Sequence, residues 1–402
     1  MTQRMLDGVK VVDMTQYLAG PTVTRLMAEQ GADIVKIEQA PHGDPSRGFG
    51  IMKDGRSGYF VQQNRGKKSL CVDFDTEEGR AVLDKLIAEA DVLVENYGPG
   101  VLEKRGLDHA TLRAKHPRLV VASISGFGRD GAWSDRVAFD LIAQAQSGIM
   151  HLTGDPDGPP MPVGTSVADV TSGVHAAAGI GFALFHRERT GEGRHVDISM
   201  VDAMFHQHEI AVHGPPLTGM KWRPTRSGHQ SRLNSPQGIY KAPEGWIVIH
   251  AMQRQWPGFC AAMGRPELET DERFADLTVR QRNRHELNAL IEEWLATLSS
   301  DDEAIAILES HRVPCARVIA PYEAMDHPHY ESRQMARTVA DPVMGDVVVP
   351  GNPIRDTDVP LPRDMDAPLL GEHNTEILES LGYTAADADR LEATGVLRRA
   401  DT

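Results

Sequence analysis

Val9-Lys10-Val11-Val12-Asp13-Met14 is a short β-branched run, and a segment with helical apolar spacing, 21–30, follows it closely. The same alternation repeats along the first 125 residues. Further β-branched runs lie at 33–38, 69–74, 91–95 and 119–125, with helical spacing over 76–90 and 101–116 between them. Strands alternating with helices imply a mostly parallel sheet covered on both faces, a doubly wound α/β fold. Such sheets bind ligands outside the carboxyl ends of their strands.

Beyond residue 186 the pattern breaks into Gly-, Pro- and Arg-rich turns until about 240. Residues 235–325 read as a separate α+β unit. It opens with a hairpin over 238–250, turned at Pro243-Glu244-Gly245, and continues with helical spacing over 284–299 and 302–311. A strand is predicted near 346–350 and a helical tail over 374–396. A chain of 402 residues exceeds what one hydrophobic core usually holds, which also argues for two domains.

Composition excludes several classes. A net charge of −15 opposes nucleic-acid binding, which needs a basic surface. The three cysteines, Cys71, Cys260 and Cys315, lie far apart without CxxC spacing. That usage fits a reduced compartment and neither a disulfide framework nor a zinc site. The N-terminus has no apolar stretch of a secretory signal, so a cytoplasmic location is expected. The longest apolar run, 174–185, is too short to span a bilayer and reads as a buried helix.

Gly126-Phe127-Gly128-Arg129-Asp130-Gly131 matches a dinucleotide fingerprint in letters only. It follows about the fifth strand rather than the first, and no helical pattern opens from it. No GxSxG or Walker A stretch is present. His206, His208, His327 and His329 lack a third ligand at metal-site spacing, so no metal is expected. Basic residues cluster in Asn64-Arg65-Gly66-Lys67-Lys68, at Lys104-Arg105 and at Arg136. These three clusters fit either a phosphate cradle or a solvated surface. Asp169 stands where an extended segment meets the most apolar helix. The dipole and free N–H groups of a helix N-terminus stabilise a carboxylate there. Local sequence leaves two readings of Asp169 open, a nucleophile for a thioester and an ordinary helix cap.

The chain resembles the class III CoA-transferase family, typified by formyl-CoA:oxalate and carnitine CoA-transferases. The resemblance runs through Leu6–Asp13, Ala19-Gly20-Pro21, Gly31–Glu38, Gly43-Asp44, Asn64–Ser69, Ala90–Gly100, Ser123–Gly128 and Ala367–Thr375. It implies an α/β domain formed by both chain ends (1–200 and 326–402), a linker (201–234), a smaller inserted domain (235–325) and an interlocked homodimer. It also implies that Asp169, within Asp169-Val170-Thr171-Ser172-Gly173, is the nucleophile. Acyl-CoA is then a substrate, with a small carboxylic acid as acceptor and no tightly bound cofactor. CoA is expected at Gln16, Tyr17, Gln39, Val72, Asn96, Tyr97, Gly98, Lys104, Arg105, Arg136 and Phe139.

Three departures from the family pattern matter. Gln39 replaces an arginine that grips the nucleotide phosphate. The stretch 226–235 lacks a glycine run, which argues against oxalate as acceptor. Phe139 replaces the histidine base of the related α-methylacyl-CoA racemases, which speaks against racemisation. A catalytically silent CoA-binding protein is the remaining alternative. Arg223, Arg226, His229 and Arg232 form a cationic cluster that suggests a dicarboxylate such as succinate.

Overall fold

The structure, a computed structural model, describes residues 3–231, 233–360 and 365–400. It divides into two compact units. The first joins 1–149, 163–209 and 328–402; the second joins 150–162 and 210–327.

In the first unit six strands form one sheet: β1 (Lys10–Met14), β2 (Asp33–Gln39), β3 (Lys68–Val72), β4 (Val92–Glu95), β5 (Val120–Ser125) and β6 (His195–Ser199). Their order is β3-β2-β1-β4-β5-β6, and every pairing is parallel. The direction of winding reverses between β1 and β4, the switch point at which doubly wound sheets open a crevice. Alternate residues feed opposite faces. Val12, Leu70, Leu93 and Val121 pack with α2 (Glu77–Ala88), α3 (His109–Lys115), α6 (Asn374–Ser380) and α7 (Ala385–Ala393). Val11, Ile34, Val92 and Val120 face α1 (Ala19–Glu29), α4 (Asp140–Gln146) and α5 (Val167–Thr190). Burial on both faces is why these strands read as near-continuous apolar runs.

The five strands expected from sequence are present, and β6 is an addition. It lies at the sheet edge, and the polar residues His195 and Asp197 interrupt its apolar pattern. The helix expected over 101–116 is two pieces, a short turn at Glu103–Arg105 and α3, separated where Gly106 adopts φ 61°. The tail divides into α6 and α7, the second opened by a capping box between Thr384 and Asp387. Helix α5 outruns its apolar centre: it is long and apolar enough to cross a bilayer, yet its inner face packs on the sheet. At the outer edge of β3, Leu397 bridges Val72, and the Arg398 N–H donates to the Cys71 carbonyl at 3.1 Å.

The second unit has a three-stranded antiparallel sheet, Gln237–Lys241, Trp246–His250 and Cys315–Arg317. Its core contains Tyr240, Trp256, Phe259, Leu287 and Ile291. Arg223, Arg226 and His229 belong to this unit, and the Arg226 guanidinium donates to the carbonyls of His151 and Asp155. Arg232 lies outside the described residues.

Helices α1 and α5 approach closely at Gly173. A Cβ there would stand 2.7 Å from the Ala19 carbonyl oxygen and 2.9 Å from the Thr22 side chain. Backbone on one side leaves little room to yield. Gly173→Val is therefore expected to lower stability by about 1–3 kcal/mol through overpacking, read from urea unfolding.

Candidate active site

The carboxyl edge of the sheet rests on buried charge. Asp13, near the end of β1, accepts from Lys67 Nζ at 2.9 Å, from the Thr24 hydroxyl at 2.7 Å and from both the N–H and hydroxyl of Thr15. Burial pushes its carboxyl up, but Lys67, Lys36 and the two hydroxyls outweigh that and hold it well below the usual range. Beside it Lys36 pairs with Asp44 at 2.9 Å. Burial opposes the Lys36 ammonium, yet Asp44, Asp13 and Glu38 raise it to about 12.

This network holds the turn after β1. Lys36 donates to the Thr15 carbonyl at 2.7 Å, and the Tyr17 N–H points to Asp44 Oδ1 at 3.3 Å. Between them Gln16 is clamped across the switch point: its N–H donates to Asn96 Oδ1, and Asn96 Nδ2 donates to its carbonyl, both at 2.8 Å. Tyr17 is thereby kept at φ 63°, left-handed backbone that costs a non-glycine residue roughly 1–2 kcal/mol. Strain of this kind collects at functional sites because only an over-determined surround retains it.

Asp169 is the third residue of α5, and Ser166 takes the N-cap place without a side-chain bond. The Asp169 carboxylate is half-buried and receives no hydrogen bond from the described residues. The cap comes from elsewhere. Asp140 Oδ1 accepts the Ala168 N–H at 2.7 Å and approaches the Asp169 N–H at 3.4 Å, while its Oδ2 takes Gln144 Nε2 at 2.6 Å. This corrects the expectation that the helix N-terminus stabilises Asp169, because Asp140 occupies those amides. Burial, then the negative charge of Asp140, raises the Asp169 carboxyl to about 7. Asp140 was not among the expected site residues; its position just after Phe139 was the only hint.

An aromatic collar lies in the same region. Tyr17 meets Phe49 at 6.4 Å and Phe139 at 6.3 Å, edge to face, and Phe49 meets Tyr59 at 5.2 Å. Burial raises the Tyr59 hydroxyl, and the charges of Asp169 and Asp44 raise it further.

The other expected residues sort by position. Gln16, Tyr17, Gln39, Asn96, Tyr97 and Gly98 lie at the carboxyl ends of β1, β2 and β4. Gln39 donates to Asp73 Oδ1 at 2.7 Å. Val72 ends β3, but its side chain is fully buried in the core and unavailable to a ligand. Lys104 is exposed, and Arg105 is held by Asp75 at 2.6 Å. Arg136 lies 5.2 Å from the Trp133 ring, and Phe139 is largely exposed. The cluster at 64–68 is no phosphate cradle. Arg65 is buried against Glu29, Lys67 against Asp13, and Lys68 pairs with Asp33 and Glu376 near the amino ends of the strands. His208 bonds the Ser147 carbonyl at 2.8 Å.

A half-buried carboxylate that receives no hydrogen bond from the described residues can accept an acyl group. The chain belongs to CoA-transferase family III, whose model matches residues 6–374, and it is a class III CoA-transferase. It is 40% identical to succinyl-CoA:mesaconate CoA-transferase of Haloarcula marismortui, over 94% of this chain and 96% of that one. It is 36% identical to formyl-CoA:oxalate CoA-transferase of Streptomyces avermitilis, over 98% and 100%. A crystal structure of a CaiB/BaiF family protein from Brucella suis superposes with TM-score 0.83 at 34% identity, covering 94% of this chain and all of that one.

A nucleophilic role for Asp169 would require its ionised form, and under that role kcat/KM for acyl-CoA should rise with pH through about 7. Asp140→Asn, which removes the like charge, should move that limb to lower pH; an unmoved limb would exclude Asp140 as its cause.

Proposed function

We propose that this chain moves CoA from a short dicarboxylic acyl-CoA, succinyl-CoA foremost, to a second carboxylic acid, with Asp169 as the covalent relay. The observation that carries this reading is the Asp169 carboxylate, half-buried and without a hydrogen-bond partner among the described residues, next to Asp140 and close enough to raise the Tyr59 hydroxyl.

A carboxylate oxygen of Asp169 attacks the thioester carbonyl, the C–S bond breaks, and CoA leaves as thiolate. The mixed anhydride is then attacked at the Asp169 carbonyl by that thiolate. The donor acid departs as carboxylate and an aspartyl-CoA thioester remains. The acceptor carboxylate repeats the sequence in reverse, leaving as acyl-CoA and restoring Asp169. The collar of Tyr17, Phe49, Tyr59 and Phe139 limits water around the anhydride, which hydrolysis would otherwise consume. The elevated carboxyl of Asp169 marks the lack of strong charge stabilisation in the free enzyme, a condition that favours attack once it is ionised.

Two features bear on substrate. Mesaconate and oxalate, named for the relatives, each carry two carboxylates. Phe139 in the place of a histidine withholds the second base that racemisation needs.

A second copy of the chain is proposed to cover the outer face of α5. Val170, Val174, Phe182 and Phe185 are exposed there, the two phenylalanines at 76% and 65%. Large exposed apolar patches are uncommon on monomers.

Exchange of labelled CoA into a panel of acyl-CoA thioesters tests the chemistry. Native protein should exchange, succinyl-CoA fastest, and Asp169→Ala should bind CoA without exchanging. Turnover by that variant would end the nucleophile assignment, and faster exchange of monocarboxylic thioesters would end the dicarboxylate one. Native protein should also run at twice the chain mass in light scattering, and Phe182→Asp with Phe185→Asp should lower that mass. A native monomer would overturn the assembly.

A further inference from the structure

The loop Gly126–Gly131 after β5 opens no helix, and the transfer chemistry leaves it without a role. Its Arg129 nevertheless reaches out of the loop to the end of β4. The Arg129 Nη2 donates to Glu95 Oε1 at 2.5 Å and to the Tyr97 carbonyl at 3.2 Å. The guanidinium is mostly buried and Glu95 almost wholly so. At its own backbone Arg129 is tethered to β6, where Asp197 Oδ2 accepts its N–H at 2.8 Å.

Glu95 completes the grip from the other side. Its Oε2 accepts the Tyr97 N–H at 2.9 Å. Tyr97 is thus held by both backbone groups, its N–H through Glu95 and its carbonyl through Arg129. Asn96, immediately before it, has its whole side-chain amide engaged on the backbone of Gln16. The turn at the switch point is therefore fixed by side chains from the ends of two strands, Glu95 and Asn96 at the end of β4 and Arg129 beyond β5.

We infer that Arg129 is a positioning residue for CoA binding. It holds the Asn96-Tyr97-Gly98 turn, and through Asn96 the Gln16 backbone, in the shape that receives the carrier. The inference rests on the reading that CoA lies against this turn. Arg129 itself touches no reacting atom. The rival explanation is that Arg129 merely neutralises a buried carboxyl. Burial raises the Glu95 carboxyl, and Arg129 is the first of the groups pulling it back. Any change that removes the negative charge would relieve that need, but it would not replace the donor at the Tyr97 carbonyl.

A double variant separates the two. Glu95→Gln with Arg129→Met leaves no buried charge to neutralise, while Glu95→Gln alone keeps the Arg129 donor. Calorimetric titration with CoA and steady-state kinetics would be compared for native protein, both variants and Arg129→Lys. The double variant should unfold near the native temperature yet bind CoA about tenfold or more weakly, as expected for loss of a hydrogen bond to a charged donor. Its KM for acyl-CoA should rise with the acceptor KM unchanged. Glu95→Gln alone should bind CoA within about threefold of native, the single-bond scale for a neutral pair. Native-like affinity in the double variant would make Arg129 a counter-ion only and overturn the inference. If the double variant does not fold, Arg129→Lys decides, since it keeps the charge but not the fork that spans both oxygens: weakened CoA binding is expected, and native affinity overturns the inference. Native protein that binds no CoA would instead defeat the CoA-site reading, and the Arg129 inference with it.

Discussion

The ion pair between Asp13 and Lys67 lies where water does not reach, and the turn after β1 is built upon it. Two charges removed from water are costly unless every remaining donor and acceptor is met. Asp13 meets that condition with two hydroxyls and an amide in addition to Lys67. Lys36 is paired with Asp44 and donates to the Thr15 carbonyl. Because these partners are fixed, the three residues after Met14 have little freedom left. The backbone of Tyr17 stays in a conformation it would not choose.

Asp140 and Asp169 differ in what they meet at the start of α5. A carboxylate that accepts from the amides of a helix start has its lone pairs engaged there. Here Asp140 takes the amides, and Asp169 is left unengaged one turn from the contact with α1. Burial, and after it the charge of Asp140, raises the Asp169 carboxyl to about 7. Under the proposed mechanism, a smaller ionised fraction at neutral pH accompanies a carboxylate whose lone pairs are unengaged.

Much of the fold was legible because β1 to β5 are buried on both faces, and continuous apolar runs announce that. Strand β6 was not, since an edge position tolerates His195 and Asp197, which break the run. The basic cluster at 64–68 misled for a related reason. Counting charges does not reveal their partners, and the partner of Lys67 lies 54 positions away. Asp169 stood out locally only as a possible cap; it was the family resemblance that singled it out. The true cap, Asp140, sits 28 positions before the amide it receives, a distance at which local motifs are silent. The Gly126–Gly131 loop carried a recognisable pattern with the wrong meaning, and its informative letter was the arginine rather than the glycines.

The bridge between Val72 and Leu397 bears on how the chain is made. β3 is an outer strand, and its free edge is covered by residues translated after the entire second unit. While the ribosome is still working, the nascent sheet carries an open edge of the kind that pairs with other chains. Domains usually fold in order from the amino end, but here the first to begin is the last to finish. Slow synthesis of the middle of this protein would lengthen the exposure of that edge, so codon choice in the inserted unit bears on the yield of the outer one.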